Sequence, residues 1–258
     1  MASTNSPLPI TVIIPCYNEG HNIRAVLESV KWADEIMVVD SYSTDATLDI
    51  ARKYTDFILQ RNYIHSADQK NWAIPQATHQ WILLVDADER VTPELRTEIQ
   101  ASLAAQPTET AFWIGRENYF MNKRVRYSGW QNDAVIRLFR KECRYENKAV
   151  HAEILASGKI GRLKHRLIHN TYKDIDHFLH KMTRYARLSA IDYADKTPRV
   201  TLYHLWLKPA FRFFKHYILK LGFLDGKVGF IISVIMAWGV FLRYVNIKAR
   251  RENVEREK

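Results

Sequence analysis

A chain of 258 residues with 47% hydrophobic residues, 9 Gly and 8 Pro is too apolar and too poor in chain breakers to be disordered or of low complexity. It is long enough for one sizeable α/β domain with an appendage. Two cysteines, Cys16 and Cys143, stand far apart without metal-ligand spacing, which argues against a disulfide framework and for a reducing compartment. The opening MASTNSPLPI has no basic segment leading into an apolar run, so no secretory signal is expected and the cytoplasm is the expected location. The net charge of +10 is unevenly placed. Residues 196–258 hold 13 Lys or Arg against 4 Asp or Glu, so nearly all the excess lies in the last quarter.

In chain order, 10–15 reads as a buried strand stopped by Pro15, and 16–20 as a loop. Helical spacing of Ile23, Val26 and Leu27 predicts a helix over 22–30. A second strand over 35–40 ends in Asp40, and the polar loop 41–45 leads into a helix over 46–54. A short strand follows at 57–59. Ser66-x-x-Gln69 has the form of a capping box for a helix over 68–77. The apolar run 81–85 predicts a central strand that ends in Asp86-Ala87-Asp88. In an extended backbone Asp86 and Asp88 share a face and Ala87 points back. Two carboxylates there suit a hard divalent cation that binds a substrate's phosphates. The plainer reading is an acidic turn opening the next helix, since Thr92-Pro93-Glu94 is a start signal.

Strands alternating with short helices imply right-handed βαβ units in a mainly parallel sheet, with ligands at the carboxyl ends of the strands. Asp40, Asp86, Asp88 and Tyr17-Asn18-Glu19 all fall at such ends. No glycine-rich phosphate loop is present, so metal and side chains must handle any phosphate. After a helix over 93–104 the pattern changes to strands at 112–120, 125–127, 134–140 and 149–155, with turns at Asn122-Lys123 and Ser157-Gly158. A helix from an Asp174 N-cap to about Ala194 would present Phe178, Met182, Tyr185 and Leu188 on one face. Arg137 and Arg140, at odd spacing on a strand, cannot share a face.

Pro15-Cys16-Tyr17-Asn18-Glu19, then Val38-Val39-Asp40-Ser41-x-Ser43-x-Asp45-x-Thr47, then Asp86-Ala87-Asp88 resemble the signature of family 2 glycosyltransferases with the GT-A fold. Further along, Trp130-x-x-Asp133-x-x-Ile136-Arg137-Leu138-Phe139-Arg140, Val150-His151-x-Glu153 and His169-x-Thr171-Tyr172 resemble the branch containing lipopolysaccharide-core β-1,4-glucosyltransferases. The likeness spans roughly residues 8–250. It implies a UDP-sugar donor, Mn²⁺ or Mg²⁺, inversion at the anomeric carbon, and a lipid-linked or glycolipid acceptor. It also implies a Rossmann-like α/β fold, with a nucleotide-sugar half over 8–105 and a mixed acceptor half over 106–195.

Residue by residue, the resemblance places Pro15, Tyr17 and Asn18 along the base pocket and Glu19 on the ribose side. Asp40 would accept from the uracil N–H and Asp45 would brace that loop. Asp68 and Lys70 would lie beside the nucleotide and diphosphate. Asp88 would ligate the metal, and Asp86 would ligate it or hold the ribose, with Ala87 between them. His169 matches a metal- or phosphate-facing histidine in some relatives; a core histidine is the plainer alternative. Glu153 is the first candidate for the base and Asp133 the second, because alanine at 152 departs from the commoner His-Glu pair. His151, Trp130 and Arg137 fall on the acceptor side. Lys181-x-x-Arg184-Tyr185 only weakly resembles the Q-x-x-R-W motif of processive synthases, and helical periodicity alone accounts for Tyr185.

The tail, 196–258, interleaves Trp206, Phe211, Phe213, Phe214 and Tyr217 with Lys208, Arg212, Lys215 and Lys220, the pattern of a helix lying in a membrane interface. The 15 apolar residues of 228–242 fall short of a spanning helix. Peripheral attachment to the anionic inner face of the membrane is the expected role, with a buried helical hairpin or a homo-oligomer contact as the plainer alternative. Cations set among membrane-type apolar residues argue against nucleic acid. The competing functions are transfer to a polyprenyl phosphate and a non-catalytic membrane-bound scaffold.

Overall fold

The computed structural model describes residues 8–148, 152–172 and 174–256. The chain divides into two compact units, Met1–Glu117 with Asp133–His169, and Asn118–Asn132 with Asn170–Lys258.

In the first unit the elements are β1 (Ile10–Cys16), α1 (Ile23–Val30), β2 (Glu35–Asp40), α2 (Thr47–Ala51), β3 (Ile58–Gln60) and α3 (Ser66–Ala73), which tightens into a 3-10 turn at Ile74–Gln76. Then come β4 (Trp81–Leu84), β5 (Glu89–Arg90), α4 (Pro93–Ala104), β6 (Ala111–Phe120), β7 (Lys123–Val125), β8 (Ala134–Arg140), β9 (Arg144–Tyr145), β10 (Ile154–Leu155) and β11 (Ile160–Asn170). The main sheet runs β3-β2-β1-β4-β8-β6-β11-β5. Its amino-terminal half is parallel: β2 pairs with β1 and β3, and β1 pairs with β4, in parallel register. Beyond β4 the pairs β4–β8, β8–β6 and β11–β5 are antiparallel. This is the expected GT-A arrangement, a Rossmann-like parallel core continued by a mixed half.

The central strands are apolar on both faces, as strands covered on both sides must be. Val12, Ile14, Val38 and Leu83 enter one core cluster with α1 and α4, whereas Ile13, Met37, Val39 and Ile82 enter another with α3. The start of α3 differs from the capping box expected at Ser66. Its N-cap is His65, whose Nδ1 accepts from the Asp68 N–H at 3.2 Å, so Ser66 is already helical. Gln69 is buried and donates to Ser41 Oγ at 2.8 Å, which ties α3 to the loop after β2. The start signal at Thr92 holds: its side chain accepts from Leu95 N–H at 3.2 Å and Pro93 opens α4.

An eleven-residue strand, β11, forms where the sequence predicted none. Its inward positions alternate as Leu163, His165, Leu167 and His169, and the two histidines break the apolar alternation that would have revealed it. The strand expected over 149–155 is described only as Ile154–Leu155. Residues 149–151, His151 among them, lie outside the described residues.

In the second unit, the end of β6 and β7 make a hairpin in which Phe120 faces Lys123. Met121 and Asn122 both have positive φ, 51° and 57°, which is the geometry of a two-residue type I′ turn. The turn therefore sits one residue earlier than Asn122-Lys123. Helix α5 (Ile175–Ala194) starts at Asp174, whose carboxylate accepts from His177 N–H at 2.7 Å. Its buried stripe is Phe178, Ala186 and Ala190, with Met182 packed beside them. Tyr185 and Leu188, expected on that face, are 40% and 38% exposed. The reason is close packing: α5 meets α7 (Gly226–Arg256) through small residues, and a Cβ on Gly239 would come within 2.6 Å of the Met182 methyl. Thus α5, expected with the strands before it, shares its cores with the tail.

Between them run π-helical turns at Tyr203–Leu207 and Lys215–Leu219, flanking α6 (Lys208–Phe214). The segment Gly222–Glu252 is 31 residues long, has a mean hydropathy of 2.0 in its most apolar window, and is long and apolar enough to cross a membrane; 44% of that window is buried inside the protein. The 15-residue run that looked too short for a span is therefore part of a longer helix. Replacing Phe178 by Ala is expected to destabilise the fold by about 3–5 kcal/mol, and Tyr185→Ala by less than about 1 kcal/mol, read from denaturant midpoints.

Candidate active site at the strand tips

Parallel pairing sets Cys16 opposite Asp40, so the loops after β1 and β2 leave the sheet side by side. Asp40 is fully buried. Its carboxylate accepts from the Ser43 hydroxyl, from Ser43 N–H at 3.0 Å and from the Gln60 amide at 3.0 Å. It therefore folds the following loop. Asp45 clasps the two loops together, accepting from Thr47 and from Gly20 N–H at 2.9 Å. Burial pushes its carboxyl up, but these hydrogen bonds outweigh burial and leave it below the usual range. A Cβ on Gly20 would meet Asp45 Oδ2 at 2.8 Å, so this close approach requires glycine.

Asn18, at φ 52°, donates through its N–H to Ser43 Oγ and accepts through Oδ1 from Thr44 N–H, both at 2.8 Å. Asparagine tolerates that backbone region. Tyr42, at φ 61°, does so at a cost, and strain of this kind clusters at functional sites. The frame leaves Tyr17 and Tyr42 with rings 58% and 50% exposed. Glu19 accepts from the Asn22 amide at 2.9 Å, and burial raises its carboxyl above the usual range. Cys16 is buried, and burial followed by the Asp40 charge raises its thiol, so it stays protonated and unreactive.

At the tip of β4 the Asp86-Ala87-Asp88 segment is a turn, not an extended strand. Ala87 is buried as expected, but the two aspartates take different partners. Asp86 pairs with Arg137 through one oxygen and with Lys70 Nζ at 3.3 Å through the other. Arg137 reaches this point because Leu83 pairs with Leu138 across antiparallel strands, which sets position 137 beside the tip. Its guanidinium also binds Glu89 at 2.8 Å. Glu89 is fully buried, accepts from Asp86 N–H at 3.0 Å and lies 3.5 Å from Arg116, which in turn binds Asp133 at 2.7 Å. Charges alternate along Lys70, Asp86, Arg137, Glu89, Arg116 and Asp133. Burial favours neutral Asp86, but the charges of Arg137 and Lys70 outweigh it and hold the carboxyl well below the usual range. Arg137 is pushed well above its ordinary value by Asp86 and Glu89 against the opposing effect of burial.

Arg137, expected on the acceptor side, is thus buried and spent on two carboxylates. Asp86, expected as a metal ligand, has both oxygens engaged by cations. Asp88 turns instead to His169, with 3.5 Å between Oδ2 and Nε2, because Glu89 on β5 pairs with His169 on β11. Among the described residues no group of three or more His, Cys, Asp and Glu stands together to hold a metal. Asp88 and His169 supply one oxygen and one nitrogen donor. That pair fits an Mn²⁺ or Mg²⁺ that completes its shell with water and substrate phosphates.

Beside this cluster a cavity of about 220 Å³ is lined by Lys70, Asp86, Arg137, Tyr145, Glu153 and Trp113, among others. Lys70 Nζ lies 5.2 Å from the Tyr145 ring centre. The buried Tyr145 hydroxyl and Arg137 Nε find no hydrogen-bond partner among the described residues. Glu153 is exposed at the cavity wall, whereas Asp133 is bound to Arg116. Asp68 pairs with Arg61 at 3.0 Å. Trp130 belongs to the second unit, where it packs with its ring centre 6.3 Å from that of Tyr172. Sequence reasoning missed Glu89, Arg116, Tyr42 and Tyr145. The available signal was Arg137 itself, since an arginine inside the apolar strand Ala134–Arg140 demands a buried carboxylate partner.

The family model for glycosyl transferase family 2 matches residues 11–179. This chain belongs to that family. Over 94% of its length it is 26% identical to the lipopolysaccharide core biosynthesis glycosyltransferase LpsC of Rhizobium meliloti (strain 1021), of which it covers 95%. It is 27% identical over 93% of its length to the uncharacterized glycosyltransferase RC0292 of Rickettsia conorii (strain ATCC VR-613 / Malish 7), covering 89% of that protein. Its structure is similar to that of S. aureus TarS 1-349, with a TM-score of 0.48 at 17% identity, covering 97% of this chain and 92% of that one. In this family 2 glycosyltransferase Asp86 is held in an ion network and Asp88 lies beside a histidine.

Two outcomes test the network. Glu89→Ala, which strands Arg137 and Arg116 without their shared partner, is expected to cost about 3–5 kcal/mol of stability by denaturant titration. Because the Asp86 carboxyl lies below its unfolded value near ~3.9, its contribution is present above that value and is lost as pH falls. Wild-type stability is therefore expected to fall more steeply between about pH 5 and pH 3 than that of Asp86→Asn.

Proposed function

We propose that this family 2 glycosyltransferase moves one hexose, glucose or a similar sugar, from a UDP-sugar to a lipid-linked glycan of the lipopolysaccharide-core type, inverting the anomeric carbon. The observation that carries the reading is the cavity in which Lys70 and the Asp86–Arg137 pair face the exposed carboxylate of Glu153. A cation beside the sugar's leaving group and a carboxylate across from it are what single displacement needs. The acceptor class is suggested by the relative named for lipopolysaccharide core biosynthesis, whose likeness covers nearly the whole of both chains.

In this reading the exposed rings of Tyr17 and Tyr42 flank the base, and Glu19 and the Asn18 loop border the ribose. Lys70 neutralises charge on the departing diphosphate. Asp86 orients Lys70 and Arg137 rather than binding metal. Asp88 and His169 hold the divalent cation, which when bound supplies further positive charge to the diphosphate. Glu153 takes the proton from the acceptor hydroxyl as its oxygen bonds to the anomeric carbon. The bond from that carbon to the phosphate oxygen breaks, and UDP leaves with the electron pair. Attack from the face opposite the leaving group inverts the carbon. Glu153 is preferred over Asp133 because its carboxylate is exposed at the cavity wall, whereas that of Asp133 is taken up by Arg116.

Glu153→Gln is expected to retain UDP binding, read as the rise in melting temperature with UDP and Mn²⁺, and to lose sugar transfer by roughly 100-fold or more. Near wild-type turnover in that variant would move the base to Asp133. Unaltered turnover in the Asp133→Asn variant as well would favour an acceptor that is already ionised.

A further inference from the structure

A second cavity, of about 540 Å³, lies within the C-terminal unit. Its lining includes Lys208, Arg212, Lys215 and Arg243, with Tyr203 and Tyr244 among the aromatic and apolar side chains between them. Among the described residues no Asp or Glu lines it. Lys208, Arg212 and Arg243 meet neutral groups. Lys208 Nζ donates to the Tyr244 hydroxyl at 2.7 Å, and Arg243 Nε donates to Ser189 Oγ at 2.9 Å with its guanidinium 4.3 Å from the Tyr193 ring centre. Arg212 Nη1 lies 3.4 Å from Nε2 of His216, whose Nδ1 is 2.9 Å from the Ser128 carbonyl oxygen. Burial and then the charge of Arg243 push Arg212 below the usual arginine value. The cavity is thus a preformed concentration of like charge, held in place by hydroxyls and rings, that an anion would relieve.

The surroundings define which anion. Trp206, Phe211 and Leu207 are 72%, 62% and 61% exposed, and the last two also line the cavity. A small soluble anion has no use for such a face, and a monomeric soluble surface rarely carries one. An amphiphile satisfies both features, with its phosphate among the guanidinium and ammonium groups and its chains against the aromatic rings. We propose that this cavity binds the phosphate headgroup of an anionic membrane lipid while the exposed aromatic face of α6 lies in the surrounding bilayer interface. The inference is independent of the donor and acceptor, since its readouts are lipid binding and melting.

The test uses the full chain with vesicles of phosphatidylcholine alone or mixed with phosphatidylglycerol. Sedimentation with the mixed vesicles only is expected. The charge-conserving pair Arg212→Lys with Arg243→Lys should weaken that binding about tenfold, the scale of lost charge-assisted hydrogen bonds. Arg250→Lys, on an exposed position of α7, should leave it unchanged. Equal binding to pure phosphatidylcholine, or an equal loss in Arg250→Lys, would overturn the assignment. Melting of the wild-type chain settles the matter if the double variant folds poorly. Monomeric dihexanoylphosphatidic acid should raise the melting temperature and inorganic phosphate at the same concentration should not. An equal rise with phosphate would make this a simple anion site, and no rise with the lipid would leave no headgroup site; either result ends the proposal.

Discussion

The ion network from Lys70 to Asp133 is the constraint on which the site depends. An arginine within a β-strand whose neighbours are apolar cannot be desolvated alone, because the uncompensated cost far exceeds what its packing returns. Arg137 is tolerable only because the turn after β4 brings Asp86 and Glu89 to it together. That requirement fixes the turn. Glu89 must point inward, so Asp88 one position earlier is left on the other side, next to His169. The division between the two aspartates is thus imposed by electrostatics, with one spent on internal cations and the other set beside His169.

The same logic applies at the first pair of strand tips, with hydrogen bonds in place of ion pairs. Asp40 and Asp45 satisfy backbone N–H groups that two short loops would otherwise leave unpaired. Loops braced this way keep a fixed shape without a packed core of their own. They can therefore present Tyr17 and Tyr42 to solvent at defined positions, one of them on a strained backbone. Rigid support and exposed rings are carried by different residues.

How legible this was in the sequence follows from which signals are local. The strand–helix alternation, the acidic strand ends and the caps at Thr92 and Asp174 are written in adjacent residues, and these appear where the periodicity puts them. The role of Asp40 was legible only as an acid at a strand end, since its burial depends on Ser43 and Gln60 arriving from other elements. Glu89 and Arg116 were invisible because an ion pair between strands is a property of strand register, and register across β4, β8 and β6 is set by long-range pairing. Strand β11 was hidden by inward histidines, one of which, His169, meets Asp88. The polar side chains that a site recruits are the same ones that erase the pattern used to find its scaffold.

The tail shows the converse, a pattern that was visible but served two purposes. On α7, Val228, Ile232 and Ile235 are buried against Phe178, and Val240, Tyr244 and Ile247 against Ala190. Intramolecular packing therefore accounts for one side of its hydrophobicity. Phe230, Val234 and Trp238, spaced four residues apart along another stripe, remain exposed. A helix that is apolar all round is stable only where both sides find an apolar environment. The small-residue contact with α5 supplies one of these environments. It also means that the tail cannot be removed as an independent anchor, since doing so would strip the cover from Phe178, Ala186 and Ala190. The remaining stripe of α7 is exposed, as is the aromatic face of α6.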